Sequence, residues 1–229
     1  MKRTKLRERS LPDYTRGEEI FNMVSHIVGG AFGVIVLVTC VVKTALCGVA
    51  ADIVGAAVYG ASMIILYTMS SIYHGLKAET AKKVFRVLDH CTIYLLIAGT
   101  YTPIALSGLL REKVWLGWTV FGAIWSMAVL GITFNAIDLK KYKKFSMTLY
   151  ILMGWCVVFT GSGAIRALTL EGFAWVLAGG VAYTVGAVIY GIAGHGAKPK
   201  RYMHSVFHLF ALLGSILQYV GIIVYLPLG

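Results

Sequence analysis

The sequence predicts an all-α integral membrane protein: a bundle of seven transmembrane helices, N-terminus in the cytoplasm and C-terminus outside. Three observations carry this reading. Hydrophobic residues make up 58% of the 229 and charged residues only 14%, against about 25% charged in an ordinary soluble domain, and the mean hydropathy is +0.77. Seven stretches are long and apolar enough to cross a hydrocarbon core of about 30 Å, which takes about 20 residues of helix. Basic residues gather in alternate connections, as the positive-inside rule requires. The apolar excess excludes intrinsic disorder, and four cysteines in so long a chain exclude a disulfide scaffold. The short alternating segments of a membrane β-barrel are missing.

Residues 1–23 are expected as a cytoplasmic N-terminal segment carrying Lys2, Arg3, Lys5, Arg7, Arg9 and Arg16. These basic residues lie too far from any short apolar region with a small-residue cleavage site to mark a signal peptide, so the first helix is expected to stay. A single membrane domain, residues 24–228, then follows. Its first helix, about 24–42, holds Gly29 and Gly33, a spacing that implies close contact with a neighbouring helix. The second covers about 53–76. The third, about 88–110, is expected to kink at Tyr101, Thr102 and Pro103, which membrane helices tolerate. The fourth and fifth, about 114–136 and 146–165, rest on length and apolarity alone, as does the sixth, about 172–194. The seventh, about 204–228, has no lysine, which excludes a retinal Schiff base there.

The second connection carries Lys77, Lys82, Lys83 and Arg86; the fourth carries Lys140, Lys141, Lys143 and Lys144; the sixth carries Lys198, Lys200 and Arg201. With the N-terminal segment, that places seventeen basic residues on one side. Lys43, Arg111, Lys113 and Arg166 are the four on the other. The net charge of +11 is therefore a topological signal with some attraction to anionic lipid headgroups, and it needs no nucleic acid. The expected location is the plasma membrane, with membrane lipids as partners and the oligomeric state left open. Cys40, Cys47, Cys91 and Cys156 form no C-x-x-C pair and are expected as free thiols.

Few titratable groups remain at membrane depth, where a charged residue costs about 2.5–3.5 kcal/mol on insertion scales and marks function by default. They are His26, His74, Asp89, His90, His204 and His208, with His195 expected to be solvated in the sixth connection. His74 ends the second helix, Asp89 begins the third, and His204 and His208 begin the seventh. Four groups from three helices thus share one level near the cytoplasmic interface. His204 and His208 are spaced i, i+4, so both imidazoles lie on one helix face; Ser70 and His74 share that spacing. Three imidazoles plus a water make an open zinc site suited to catalysis. Asp89 is placed to position the water or orient a ligand. His90 points about 100° away from Asp89 and is expected as a hydrogen-bonding neighbour, and His26 as a brace.

The stretches Glu18-Glu19-Ile20-Phe21-Asn22-Met23-Val24-Ser25-His26, Ser70-Ser71-Ile72-Tyr73-His74, Leu88-Asp89-His90 through Gly99-Thr100-Tyr101-Thr102-Pro103, and His204-Ser205-Val206-Phe207-His208 resemble those of bacterial hemolysin III-type proteins. These belong to the progestin and adipoQ receptor family, which is distantly similar to alkaline ceramidases. The resemblance implies Zn2+ held by His74, His204 and His208, Asp89 contacting it through water, and Ser70 beside it. It also implies a zinc-dependent hydrolase of lipid-like amides or esters, its substrate entering from the inner leaflet, with Asp89 and Ser70 in catalytic roles. A zinc-stabilised membrane sensor is the alternative, and a channel or cytolysin a third.

Overall fold

The computed structural model describes residues 4–193 and 200–227, without the side chain of Ala193; Lys2, Arg3, His195, Lys198 and the end of the seventh predicted stretch lie outside the described residues. After a single 3-10 turn, Leu6–Glu8, and an irregular stretch to Thr15, the regular structure of the described residues is helical. Its elements are α1 (Arg16–Cys47), α2 (Ala50–Gly75), α3 (Glu79–Pro103), α4 (Val114–Asp138), α5 (Lys143–Gly154), α6 (Cys156–Phe159), α7 (Ser162–Ala193) and α8 (Met203–Tyr225). Among the described residues no strand occurs. Six helices among the described residues are long and apolar enough to cross a membrane: α1, α2, α3 with its continuation to Glu112, α4, α7 to Ile192, and α8. α1 starts at Arg16, ahead of the apolar stretch expected from residue 24. A capping box explains the early start: Thr15 Oγ1 accepts the Glu18 N–H while Glu18 accepts the Thr15 N–H.

The fifth predicted stretch, 146–165, is not one helix. α5 ends at Gly154 and α6 at Phe159, and Gly161 follows with φ +54°, a conformation that favours glycine. From Lys143 to Phe159 the rise is about 26 Å at 1.5 Å per residue, short of a full crossing. The break at Trp155 is sealed by Tyr101 of α3. Its phenol donates to the Gly154 carbonyl (3.0 Å) and accepts the Val157 N–H (2.7 Å). The next break lies inside α7, where Thr169 has φ 62°. Thr169 Oγ1 accepts the Gly172 N–H and so caps the segment that follows. The chain folds back there, because Trp155 Nε1 donates to Thr184 Oγ1 at 3.1 Å. In a straight helix those two residues would stand about 43 Å apart.

Pro103 removes one N–H from the α3 ladder, and the helix widens directly after it into a π-helical segment, Ile104–Leu109, before a last turn, Leu110–Glu112. The kink expected at Tyr101–Pro103 therefore takes the form of a π segment. Helices approach closely at glycines. A Cβ on Gly29 would lie 2.4 Å from the Tyr67 ring, and one on Gly60 would lie 2.4 Å from Leu37 Cα. Gly172, Gly179 and Gly186 of α7 meet Tyr225, Gln218 and Phe210 of α8 in descending order, so those two helices run antiparallel. Large apolar residues such as Ile27, Val38, Trp115, Val188 and Leu209 face outward, while Tyr59, Tyr67, Ser70 and His208 are buried. The four cysteines are free.

At the end of the bundle away from His74, Asp52 is fully buried and bonds the Arg111 guanidinium at 2.7 Å. Arg111 also donates to the Pro227 carbonyl, and Lys43 to the Ile223 carbonyl. Both cations thus hold the C-terminal end of α8.

Two glycines on α4 separate packing from propensity. A Cβ on Gly131 would sit 2.1 Å from Tyr94, whereas Gly122 has nothing within 4 Å. Gly131→Ala is expected to destabilise by about 1–3 kcal/mol through overpacking, and Gly122→Ala to stabilise by about 0.5–1 kcal/mol through helix propensity. Thermal melts of the two variants beside the wild type check this.

Candidate metal centre

The last turn of α2 presents His74, and the first turns of α8 present His204 and His208. Local chemistry sets both positions. α2 stops at Gly75, with Leu76 extended. α8 begins after Tyr202, held in the left-handed conformation at φ 61°, and its N–H donates to Glu18 Oε1 at 2.6 Å. Glu18 is almost fully buried and also accepts from Thr15 and Arg201. One carboxylate therefore joins the start of α1 to the start of α8 and fixes where His204 stands.

One ligand nitrogen from each of His74, His204 and His208 lies within 4.8 Å of the others. Nε2 of His204 and Nε2 of His208 are 3.1 Å apart. Three nitrogens bound tetrahedrally at about 2.0–2.1 Å sit about 3.3 Å from one another, so this spacing suits a small ion. Partners outside the cluster orient two of the rings. His74 Nδ1 bonds Glu19 Oε2 at 2.7 Å, and Glu19 Oε1 bonds Lys82 at 2.7 Å. His208 Nδ1 lies 3.4 Å from Ser25 Oγ. His74 Nε2 is buried without a partner, as is His204 Nδ1. Buried polar atoms are nearly always paired, yet eleven side-chain atoms among the described residues are not, and six belong here: one each on Asn22, Ser70, His74 and His204, and both nitrogens of His26. Such a concentration of unmet bonding capacity fits a bound ion and its water. The residues present could hold a metal.

Ser70, one turn deeper on α2, is fully buried. Its hydroxyl makes no hydrogen bond of ordinary length, and the Asp89 carboxylate, which also interacts with His74, is its polar neighbour. His90 donates to the Arg86 carbonyl at 2.9 Å and lies 3.4 Å from Asp89 Oδ2, at the edge of the site as a neighbour. His26 stacks on His208, centroids 3.6 Å apart and planes 13° from parallel. Parallel rings hold their lone pairs in parallel planes, so His26 and His208 cannot aim at one ion. His26 supports the cluster from α1.

Four contributors are absent from the sequence-level set. Glu18 and Glu19 carry a signal: Glu18, Asn22, His26, Gly29 and Gly33 form the buried stripe of α1 at helical spacing. Tyr190 of α7 lies 5.0 Å from His204. Tyr14 precedes α1, stacks on His204 at 5.1 Å and 10°, and stands 5.8 Å from His74. Burial and the neighbouring Tyr190 push its phenol far above the ordinary value, so it stays neutral. A tyrosine in an irregular segment has no periodicity by which to be found.

The family model described as haemolysin-III related matches residues 14–219. "Hemolysin-3" of Bacillus cereus is 36% identical over 208 residues, 91% of each chain. A "Hemolysin-3 homolog" of Bacillus subtilis is 33% identical over 212 residues, 93% of this chain and 96% of its own. The human "Monocyte to macrophage differentiation factor" is 26% identical over 175 residues, 74% of this chain and 69% of its own. The chain belongs to the haemolysin-III related family and is an integral membrane protein.

Partners that orient a ligating histidine typically contribute 10–100-fold to metal affinity. Glu19→Ala is accordingly expected to weaken any affinity of the cluster for added metal by about 10–100-fold, with His90→Ala leaving it unchanged, as measured by competition with a chelating dye.

Proposed function

We propose that this haemolysin-III related protein holds a zinc ion with His74, His204 and His208 and hydrolyses a lipid-like amide or ester beside it. The observation that carries the reading is the convergence of three imidazoles, two bearing unpaired buried nitrogens, next to a buried carboxylate and an unpartnered serine. Bound zinc supplies Lewis-acid polarisation of a carbonyl and acidifies a water. Asp89 positions the attacking water and takes its proton as general base. Ser70 donates its unpaired hydroxyl to the oxyanion that develops on the substrate. Glu19 and Ser25 hold the imidazoles in place throughout.

Seven crossings with a cytoplasmic N-terminus complete the proposal. The fold-back at Thr169 supports a fifth crossing made of α5, α6 and the first turns of α7, antiparallel to the rest of α7. Basic residues concentrate at the end that carries the histidines, which supports a site just below the inner-leaflet headgroups of the plasma (bacterial inner) membrane and a substrate entering from that leaflet.

The alternative is a non-enzymatic, zinc-stabilised membrane sensor in which the ion ties α2 to α8. The aromatic cover over the cluster, Tyr14 with Tyr190, favours it. A channel fits less well, since Tyr59, Met63 and Leu66 are buried on α2 between the polar groups of the two ends.

Elemental analysis of purified protein is expected to give one zinc per chain in the wild type and loss in His74→Ala, His204→Ala and His208→Ala. Asp89→Asn and Ser70→Ala are expected to keep the metal, with Asp89→Asn lowering fatty-acid release from a lipid panel by about 10²–10⁴-fold. Full zinc occupancy without release, while a ceramidase control is active, would sink the hydrolase and leave the sensor. Zinc retained in the His204 and His208 variants together would sink both.

A further inference from the structure

The cluster has helical walls on most sides: α1 with Ser25 and His26, α2 with Ser70 and His74, α3 with Asp89, α7 with Tyr190, and α8 with its own two histidines. On the remaining side Tyr14 stacks on His204, at the end of residues 4–15, which form one 3-10 turn and are otherwise irregular. We propose that this segment is a removable roof with Tyr14 as its closing residue, so that ions and ligands exchange with water on that side only when it lifts.

The way the segment is attached supports this. Its near end is tied to α4, where Thr4 N–H donates to Asp138 (3.2 Å) and Arg9 donates to the Ile137 carbonyl (2.7 Å). Farther along, Lys83 donates to the Arg7 carbonyl (3.0 Å), Arg86 to the Ser10 carbonyl (2.7 Å) and Arg201 to the Asp13 carbonyl (2.8 Å). Most of these ties are single bonds from long side chains to a backbone oxygen, several of them exposed. Segments held this way open locally at low cost, whereas helices packed through buried glycine contacts do not. Tyr14 reaches inward and covers His204 face to face, and Tyr190 packs on the same imidazole. Just past Tyr14, Thr15 and Glu18 anchor the chain to α1 and α8. That anchor is a fixed hinge about which the residues before it can swing.

The roof holds whether the ion is catalytic or structural, and its test needs no ion. Full-length protein in detergent, stripped of metal, is treated with diethyl pyrocarbonate, and modification of each histidine is followed by mass spectrometry. His90, partly exposed at the edge of the site, serves as the internal reference. In the wild type, His74 and His204 are expected to react far more slowly than His90. Tyr14→Ala is expected to speed them by about tenfold, the effect of one lost aromatic contact on a local opening equilibrium. Arg86→Ala, which frees the Ser10 carbonyl, is expected to act in the same direction, and Tyr14→Phe to stay near the wild type. His26 lies behind His208 and reports unfolding: it must remain protected in every variant. Equal rates in wild type and both lifting variants would overturn the roof, as would His26 rising in parallel with His204. Loss of zinc stoichiometry in the wild type would instead overturn the metal reading and leave the roof standing.

Discussion

Hydrocarbon provides no hydrogen-bond partners, and this chain responds by sending its polar groups inward and its large apolar residues out. Within the bundle short hydroxyls such as Ser62 and Thr100 bond back to their own helix, while larger polar groups find partners on another helix. Tyr67 of α2 shows the pattern: its phenol meets Ser215 of α8, and the same serine meets Tyr183 of α7. The glycines that let a ring this large fit between helices, Gly29 above all, are therefore part of the polar architecture as much as of the packing. The same pressure explains why Tyr101 occupies the gap between α5 and α6, where a free carbonyl and a free amide would otherwise face lipid or void.

The histidine cluster is the place where this internal pairing stops short. Unpaired atoms elsewhere, such as Tyr59 OH and Ser107 Oγ, are scattered singly; here several nitrogens remain open together. Glu19 and Ser25 engage the outer edges of His74 and His208, which leaves the inner edges directed at one another. A set of rings held from outside and unsatisfied inside is poorly suited to water-free packing and well suited to a small cation.

Much of the site was legible from one-dimensional spacing. His204 and His208 announce a shared face by being four apart, and His74, Asp89 and the pair announce a shared level by their places at helix ends. That logic works because a helix converts sequence number into height and angle. It fails where the chain is not a regular helix. Tyr14 sits in an irregular segment that crosses the bundle end, so nothing about its number says where it points. The stretch 146–165 read as one helix because it is apolar throughout, but hydropathy does not register Gly161 in the left-handed region or a break mended by a phenol from α3. Thr169 is silent in the sequence for a related reason: the fold-back depends on backbone angles at a single residue, and its capping bond to Gly172 is visible only once those angles are known. Glu18 and Glu19 stood in plain view as part of a polar run, yet which of two adjacent carboxylates turns toward α2 and which toward α8 depends on helix phase against two neighbours.

α8 is gripped at both ends by charge of the sign its dipole favours. Its start receives the Glu18 carboxylate at the Tyr202 N–H, its last turn receives Lys43 at the Ile223 carbonyl, and Arg111 holds the Pro227 carbonyl just beyond it. Opposed grips of this kind act as a length gauge. They oppose sliding of the helix along its own axis, the motion that would carry His204 and His208 past His74. A shift of one residue is about 1.5 Å, already most of a metal–nitrogen bond of about 2 Å. The far end of the molecule, where Arg111 meets Asp52, thereby helps set the calibration of a cluster a membrane's thickness away.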